Sequence, residues 1–236
     1  MTENELRQKV VDVIYGWLGW SEANGKHKTI IDIYNAQKPL PVGYKVKYSD
    51  EWCATTVSAA GLQAGLSDII LPECSCYRMV NLYRAVGRWI EDDAYTPQVG
   101  DIIMYNWSDS GVGDNTGTPN HVGIVAAVNG TNMTIIEGNK GAAVATRSMK
   151  VNGKYIRGYC LPDYASKATE EESNDMNNPI YKTRDDIEAQ ASWGLATFDK
   201  LVKAGYLSGT GDGVYDVSYE MLRILVILDR AGNFNK

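Results

Sequence analysis

A cysteine at the start of a helix is a candidate nucleophile. The run Trp52-Cys53-Ala54-Thr55-Thr56-Val57-Ser58-Ala59-Ala60 opens a helix directly after the polar stretch Tyr48-Ser49-Asp50-Glu51. The positive end of a helix dipole favours a thiolate over a thiol, and the thiolate is the form that attacks a carbonyl carbon. The backbone N–H of Cys53, unpaired in a first helical turn, offers one donor to an oxyanion. Taken alone, a cysteine is more often a small buried hydrophobe. Here it has chemical company. The chain contains two histidines, and His121 opens a strand-like run after the long polar loop SDSGVGDNTGTPN, at a strand end where active groups are commonly carried. The following strand-like run ends in Glu137-Gly138-Asn139.

Whether these groups can meet depends on hairpin register. A three-residue loop at Asn129-Gly130-Thr131 puts His121 opposite Asn139 and on the same sheet face as Glu137. A two-residue Asn129-Gly130 turn throws Glu137 to the other face, since one residue of slip reverses every side chain. A catalytic reading therefore requires an odd-length loop or a bulge. Glu137 beside His121 would hold the imidazole in the tautomer that serves the thiol and would favour its protonated form; Asn139 would be a weaker, uncharged orienter. Otherwise Glu137 is an ordinary solvated charge at a strand end.

The elements that must position these residues come in two blocks. Helix-like spacing covers about 3–18, 28–37, 53–64 and 77–86, and strand-like runs follow at Asp101–Trp107, His121–Val128, Met133–Glu137, Val144–Ser148 and Tyr155–Leu161. Strands joined by short turns pair antiparallel, so the expected class is α+β, helices followed by an antiparallel sheet. Residues 1–165 form this first domain. Residues 166–179, including SKATEEESNDMNN, are polar and acidic and read as a linker. Residues 180–236 read as a small module of two helices, about 186–204 and 219–231, the second capped by Ser218 and stopped by Gly232. Gly209-Thr210-Gly211-Asp212-Gly213 lacks the Lys-Ser/Thr of a phosphate loop and reads as the turn between them.

Composition limits the partners. With 23 Lys and Arg against 29 Asp and Glu, the net charge of −6 argues against electrostatic binding to nucleic acid. No stretch approaches the roughly 20 apolar residues that span a bilayer. The N-terminal segment MTENELRQKVVDVIYGWLGW has acidic residues first and helical spacing rather than the basic start of a signal peptide, so cytoplasmic synthesis is expected, with later release. Cys53, Cys74, Cys76 and Cys160 are too few and irregular for a disulfide framework and are expected to be free thiols. Asp109, Asp114 and Asn115 fit no standard cation loop, and the loop from 106 to 120 is better read as a cleft rim. No metal or cofactor is expected.

Residues 40–165 resemble a CHAP domain (cysteine, histidine-dependent amidohydrolase/peptidase) through SDEWCATTVSAAGLQAGL, VGDIIMYNW, NHVGIV and IIEGNKG. The resemblance implies a papain-like fold and amidase or endopeptidase activity on bacterial peptidoglycan. It carries over Cys53 as nucleophile, His121 as base, and Glu137 and Asn139 as polar partners. The calcium loop of some relatives is reduced here to Asp50 and Glu51. The C-terminal segment resembles small modules appended to phage and prophage wall hydrolases, which implies either wall binding or a helical pair used for folding or self-association. A phage or prophage endolysin is the leading expectation. A host autolysin, an exported toxin of the same fold and a wall-peptide-binding module without catalysis are the alternatives.

Overall fold

The computed structural model describes residues 1–92, 94–109, 111, 116–169 and 179–234. The chain divides into two compact units, Met1–Thr169 and Glu170–Lys236.

The first unit opens with four helices: α1 (Glu3–Tyr15), α2 (His27–Ala36), α3 (Cys53–Gln63) and α4 (Cys76–Ala85). Thr2 and Glu5 cap α1 reciprocally, and its buried residues Leu6, Val10, Val11 and Ile14 repeat at helical spacing along one face. Helix α3 differs. Every residue from Cys53 to Gly61 is buried, so the run of Ala, Thr and Ser makes a slim helix that passes through the core rather than over it.

Six strands follow: β1 (Trp89–Ile90), β2 (Ile102–Tyr105), β3 (His121–Asn129), β4 (Asn132–Glu137), β5 (Ala145–Lys150) and β6 (Ile156–Cys160). They form one antiparallel sheet in the order β1-β6-β2-β3-β4-β5. Alternation sorts the side chains. Ile102, Met104, Val122, Ile124 and Ile136 join the core built with the helices, while Ile103, Tyr105, Val125, Ile135 and Tyr159 build a second apolar cluster. The α+β, papain-like class expected from the sequence is the class observed. Strand β1, only two residues long, shows no period and was not expected. The strand expected over 101–107 runs from Ile102 to Tyr105, and the side chains flanking it are tied down. Asp101 takes a 2.9 Å hydrogen bond from Arg7, and Asn106 donates to the carbonyl of Thr116 at 2.7 Å.

The β3–β4 register decides where the candidate catalytic groups fall. The turn has two residues, Gly130 and Thr131, with Asn129 facing Asn132 and Val128 facing Met133. That start is out of step with the alignment the catalytic reading requires. A bulge at Ala126 corrects it, so that Val125 faces Ile135 and Ile124 faces Ile136. His121 and Glu137 thereby share a face.

The second unit contains β7 (Ile180–Thr183), α5 (Arg184–Gln190), α6 (Ser192–Lys203), β8 (Val214–Ser218) and α7 (Tyr219–Arg230), with β7 and β8 paired antiparallel. It therefore holds more than the two helices expected. The segment 186–204 breaks at Ala191, which is fully buried with φ −142° and ψ 41°, and the bend lets Ile187, Phe198 and Leu201 face inward together. The glycine-rich turn leads into β8 rather than into a helix. Residues 170–178 of the expected linker lie outside the described residues.

Gly138 joins the two halves of the first unit. A Cβ at this position would overlap the buried side chain of Thr56 on α3, so β4 can end against the helix only with glycine there. Gly138→Ala is expected to destabilise the fold by about 1–3 kcal/mol through overpacking. Urea unfolding of the variant checks this, and an unchanged midpoint would contradict it.

Candidate active site

Helix α3 begins at Cys53 with no side-chain cap and no acidic residue in its first turn. The positive end of its dipole is left to the thiol. Cys53 is buried, at 6% exposure, two residues after the exposed Glu51. Two groups act on its sulfur. The first is the thiol of Cys76, the opening residue of α4, with the two sulfurs 3.7 Å apart and hydrogen-bonded. The second is the imidazole of His121, whose interaction favours the thiolate. The Cys76 hydrogen bond is the largest influence, and with His121 it outweighs burial and holds Cys53 at a pKa of about 5. The cost falls on Cys76, whose thiol is pushed well above its ordinary range, chiefly by that same hydrogen bond to Cys53.

His121 opens β3, where it pairs with Tyr105 of β2 and stacks on the Tyr105 ring at 5.7 Å. Burial pushes its pKa down, but hydrogen bonds to Cys53 and Glu137 offset this and raise it to about 9. Its Nε2 lies 3.1 Å from Oε2 of Glu137, which leaves Nδ1 for the thiol. Near neutral pH the pair is therefore a thiolate and an imidazolium.

Glu137 is fully buried, and burial alone would raise its pKa. His121 and Arg147 reverse that and hold the carboxyl below its ordinary value. Arg147 donates from Nε to Oε1 at 2.5 Å and from Nη2 to Oε2 at 2.9 Å. Its guanidinium also lies 4.6 Å from the centre of the Trp107 ring, which stacks on Tyr105 at 4.7 Å. Glycine at 123 gives the Glu137 stem its path. A Cβ at 123 would come within 2.8 Å of Glu137 Cγ.

The structure brings Cys53, His121 and Glu137 together, with His121 hydrogen-bonded to Glu137 and acting on the Cys53 thiol. Asn139 takes a different place from the one its pairing position suggested. Strand β4 ends at Glu137, Asn139 has φ +56°, and its side-chain amide donates to Glu51. Trp52, undecided from sequence, is fully buried and donates to Glu22 at 3.0 Å. The other histidine, His27, is buried on α2 with its ring nitrogens near the carbonyls of Ser21 and Tyr48. Asp109 accepts from the N–H of Gly111 at 3.0 Å, while Asp114 and Asn115 lie outside the described residues. Among the described residues no three of His, Cys, Asp and Glu gather as a metal site, and no helix is long and apolar enough to cross a membrane.

Two cavities of the first unit have charged linings, neither formed by Cys53, His121 or Glu137. One, of about 380 Å³, is lined by Tyr44, Asp50, Glu51, Cys74 and Arg78; the other, of about 390 Å³, by Trp107, Arg147, Lys150, Lys154 and Tyr155. Arg78 is paired with Glu73 and Arg147 with Glu137, so Asp50 and Glu51 set the charge of the first cavity and Lys150 and Lys154 that of the second.

Residues 43–139, which carry Cys53, His121 and Glu137, match the family model described as CHAP domain. The chain contains a CHAP domain. Similar solved structures include the crystal structure of Ly7917 with the hydrolyzing product of MDP, at 22% identity and a TM-score of 0.32 over 57% of this chain and 62% of that one. The crystal structure of Ly7917 matches at 18% identity and a TM-score of 0.32, over 77% and 65% of the two chains. The chain thus spans less than two thirds of either neighbour. No curated protein matches it.

Arg147 and Cys76 were not singled out from the sequence. The seven-residue turn from 138 to 144 hid the register that puts Arg147 beside Glu137, and the meeting of two helix starts is a tertiary fact. Alkylation of Cys53 by iodoacetamide is expected to rise with pH around a midpoint near 5 and to be at its plateau at neutral pH. Glu137→Gln removes the charge that holds the imidazolium, so His121 loses its proton at lower pH and the Cys53 midpoint moves up. A midpoint for the native CHAP domain in the ordinary thiol range, about 8.5, would contradict the ion pair.

Proposed function

We propose that the chain hydrolyses an amide bond of bacterial peptidoglycan, with Cys53 as nucleophile, His121 as proton carrier and Glu137 as the carboxylate that orients it. The observation that supports this most is the grouping of Cys53, at a helix N-terminus, with His121 and its hydrogen-bonded partner Glu137 inside a CHAP domain. The thiolate attacks the carbonyl carbon, and the developing oxyanion can take the N–H of Cys53. The imidazolium protonates the leaving amine as the C–N bond breaks, which leaves a thioester and a neutral imidazole. That imidazole draws a proton from water, the hydroxide cleaves the thioester, and the acid departs.

The biological setting consistent with this is a phage or prophage endolysin, whose C-terminal unit assists wall attachment. Self-association of that unit is carried by no observation.

Purified Gram-positive walls should lose turbidity with the native protein, and Cys53→Ala should lower the rate on the order of 10³-fold or more. Mass spectrometry of the released muropeptides names the bond. Absence of clearing by the native protein across several wall chemistries would overturn the hydrolase reading in favour of a binding module. A chain ending at residue 165 is expected to keep cleavage activity and to sediment less with sacculi. Equal sedimentation would remove the attachment role.

A further inference from the structure

One buried nucleophile has no task in the reaction above. Cys76 is 8% exposed and its sulfur lies 3.7 Å from that of Cys53. We propose that Cys53 and Cys76 form a peroxide-responsive pair, in which Cys76 resolves oxidised Cys53 into an intramolecular disulfide that reversibly caps the nucleophile.

Three observations carry this. First, Cys53 and Cys76 are the opening residues of α3 and α4, which sets their sulfurs 3.7 Å apart, and the uncapped start of α3 favours the anionic Cys53 sulfur that peroxide oxidises. Second, Cys76 is held in place. Ser58 on α3 donates to the carbonyl of Glu73 at 2.6 Å and accepts from its N–H at 2.8 Å. The Glu73 carboxylate in turn accepts from the N–H groups of Cys74 and Ser75 and from two nitrogens of Arg78. The turn that presents Cys76 is thus tied to the helix that presents Cys53. Third, the other thiols are placed differently. Cys74 sits against Arg78 at 3.4 Å, and Cys160 is fully buried at the far end of β6. A disulfide needs the sulfurs to close from 3.7 Å to about 2.05 Å.

The chemistry balances with hydrogen peroxide as oxidant. The Cys53 thiolate attacks one peroxide oxygen, the O–O bond breaks, and sulfur becomes a sulfenic acid. The hydroxide released takes the proton of His121 and leaves as water. The Cys76 thiol then gives up its proton and attacks the Cys53 sulfur; the S–S bond forms, the S–O bond breaks, and a second water departs. Two thiols lose two electrons and one peroxide gains them.

The effect on hydrolysis rests on Cys53 being the nucleophile, whereas the cross-link itself does not, so the two readings can fail separately. The full-length protein is treated with hydrogen peroxide, free thiols are blocked, and the chain is cut after glutamate. Cleavage after Glu51, Glu73 and Glu91 puts Cys53 on residues 52–73 and both Cys74 and Cys76 on residues 74–91. The expected product is these two peptides joined, two hydrogens lighter than their sum. The link should persist in Cys74→Ser and vanish in Cys76→Ser. Dithiothreitol should restore wall clearing to the oxidised native protein. Oxidised Cys76→Ser, its Cys53 carried on to sulfinic acid, should stay inactive. Unjoined peptides from the treated native protein, or a cross-link that survives Cys76→Ser, would overturn the proposal.

Discussion

A carboxylate buried without any solvent exposure is the constraint around which the site is built. Glu137 would cost several kcal/mol to bury alone, so it must be paired on each side. It is held by Arg147 through both oxygens and by His121 through one. The pairing extends further, because the imidazolium faces the Cys53 sulfur. The result is a row of alternating charges: thiolate, imidazolium, carboxylate, guanidinium. Its members sum to zero, and each lowers the cost of burying its neighbour. An unpaired member would unsettle the rest, which makes the row cooperative and poorly divisible into single contributions.

The backbone makes the row possible by small irregularities rather than by ideal strands. The bulge at Ala126 turns a register that would have separated His121 from Glu137 into one that aligns them. Glycine at 123 opens the path of the carboxylate, and glycine at 138 lets the same strand end against α3, the helix that carries the thiol. Sheet and helix thus meet at the candidate site. Cys76 adds an S–H donor to the same sulfur, so the thiolate is stabilised by the uncapped start of α3, one S–H donor and one imidazolium.

Much of this was legible in the sequence because it rests on local signals. Apolar spacing gave the four helices, and turn residues separated the strands. A cysteine after a polar stretch marked a helix start, and the hairpin between His121 and Glu137 is short enough for its register to be reasoned about. What escaped depended on longer connections. Arg147 follows a seven-residue turn, Cys76 reaches Cys53 only through the packing of α4 against the core, and Ala191 breaks a helix in the second unit so that Ile187 and Phe198 can share one core. Asn139 differs again. Strand pairing set it opposite His121, whereas β4 ends two residues earlier, at Glu137, and Asn139, left-handed at φ +56°, donates its amide to Glu51.

The claim on which the account stands is that His121 is already protonated against a Cys53 thiolate before any substrate arrives. Nitrogen-15 NMR of the His121 imidazole across pH tests it most directly. The account predicts that both ring nitrogens carry protons at neutral pH, with loss of one near pH 9, and that Cys53→Ala lowers this transition. A native His121 that titrates near its ordinary value of about 6.5, unmoved by Cys53→Ala, would contradict it.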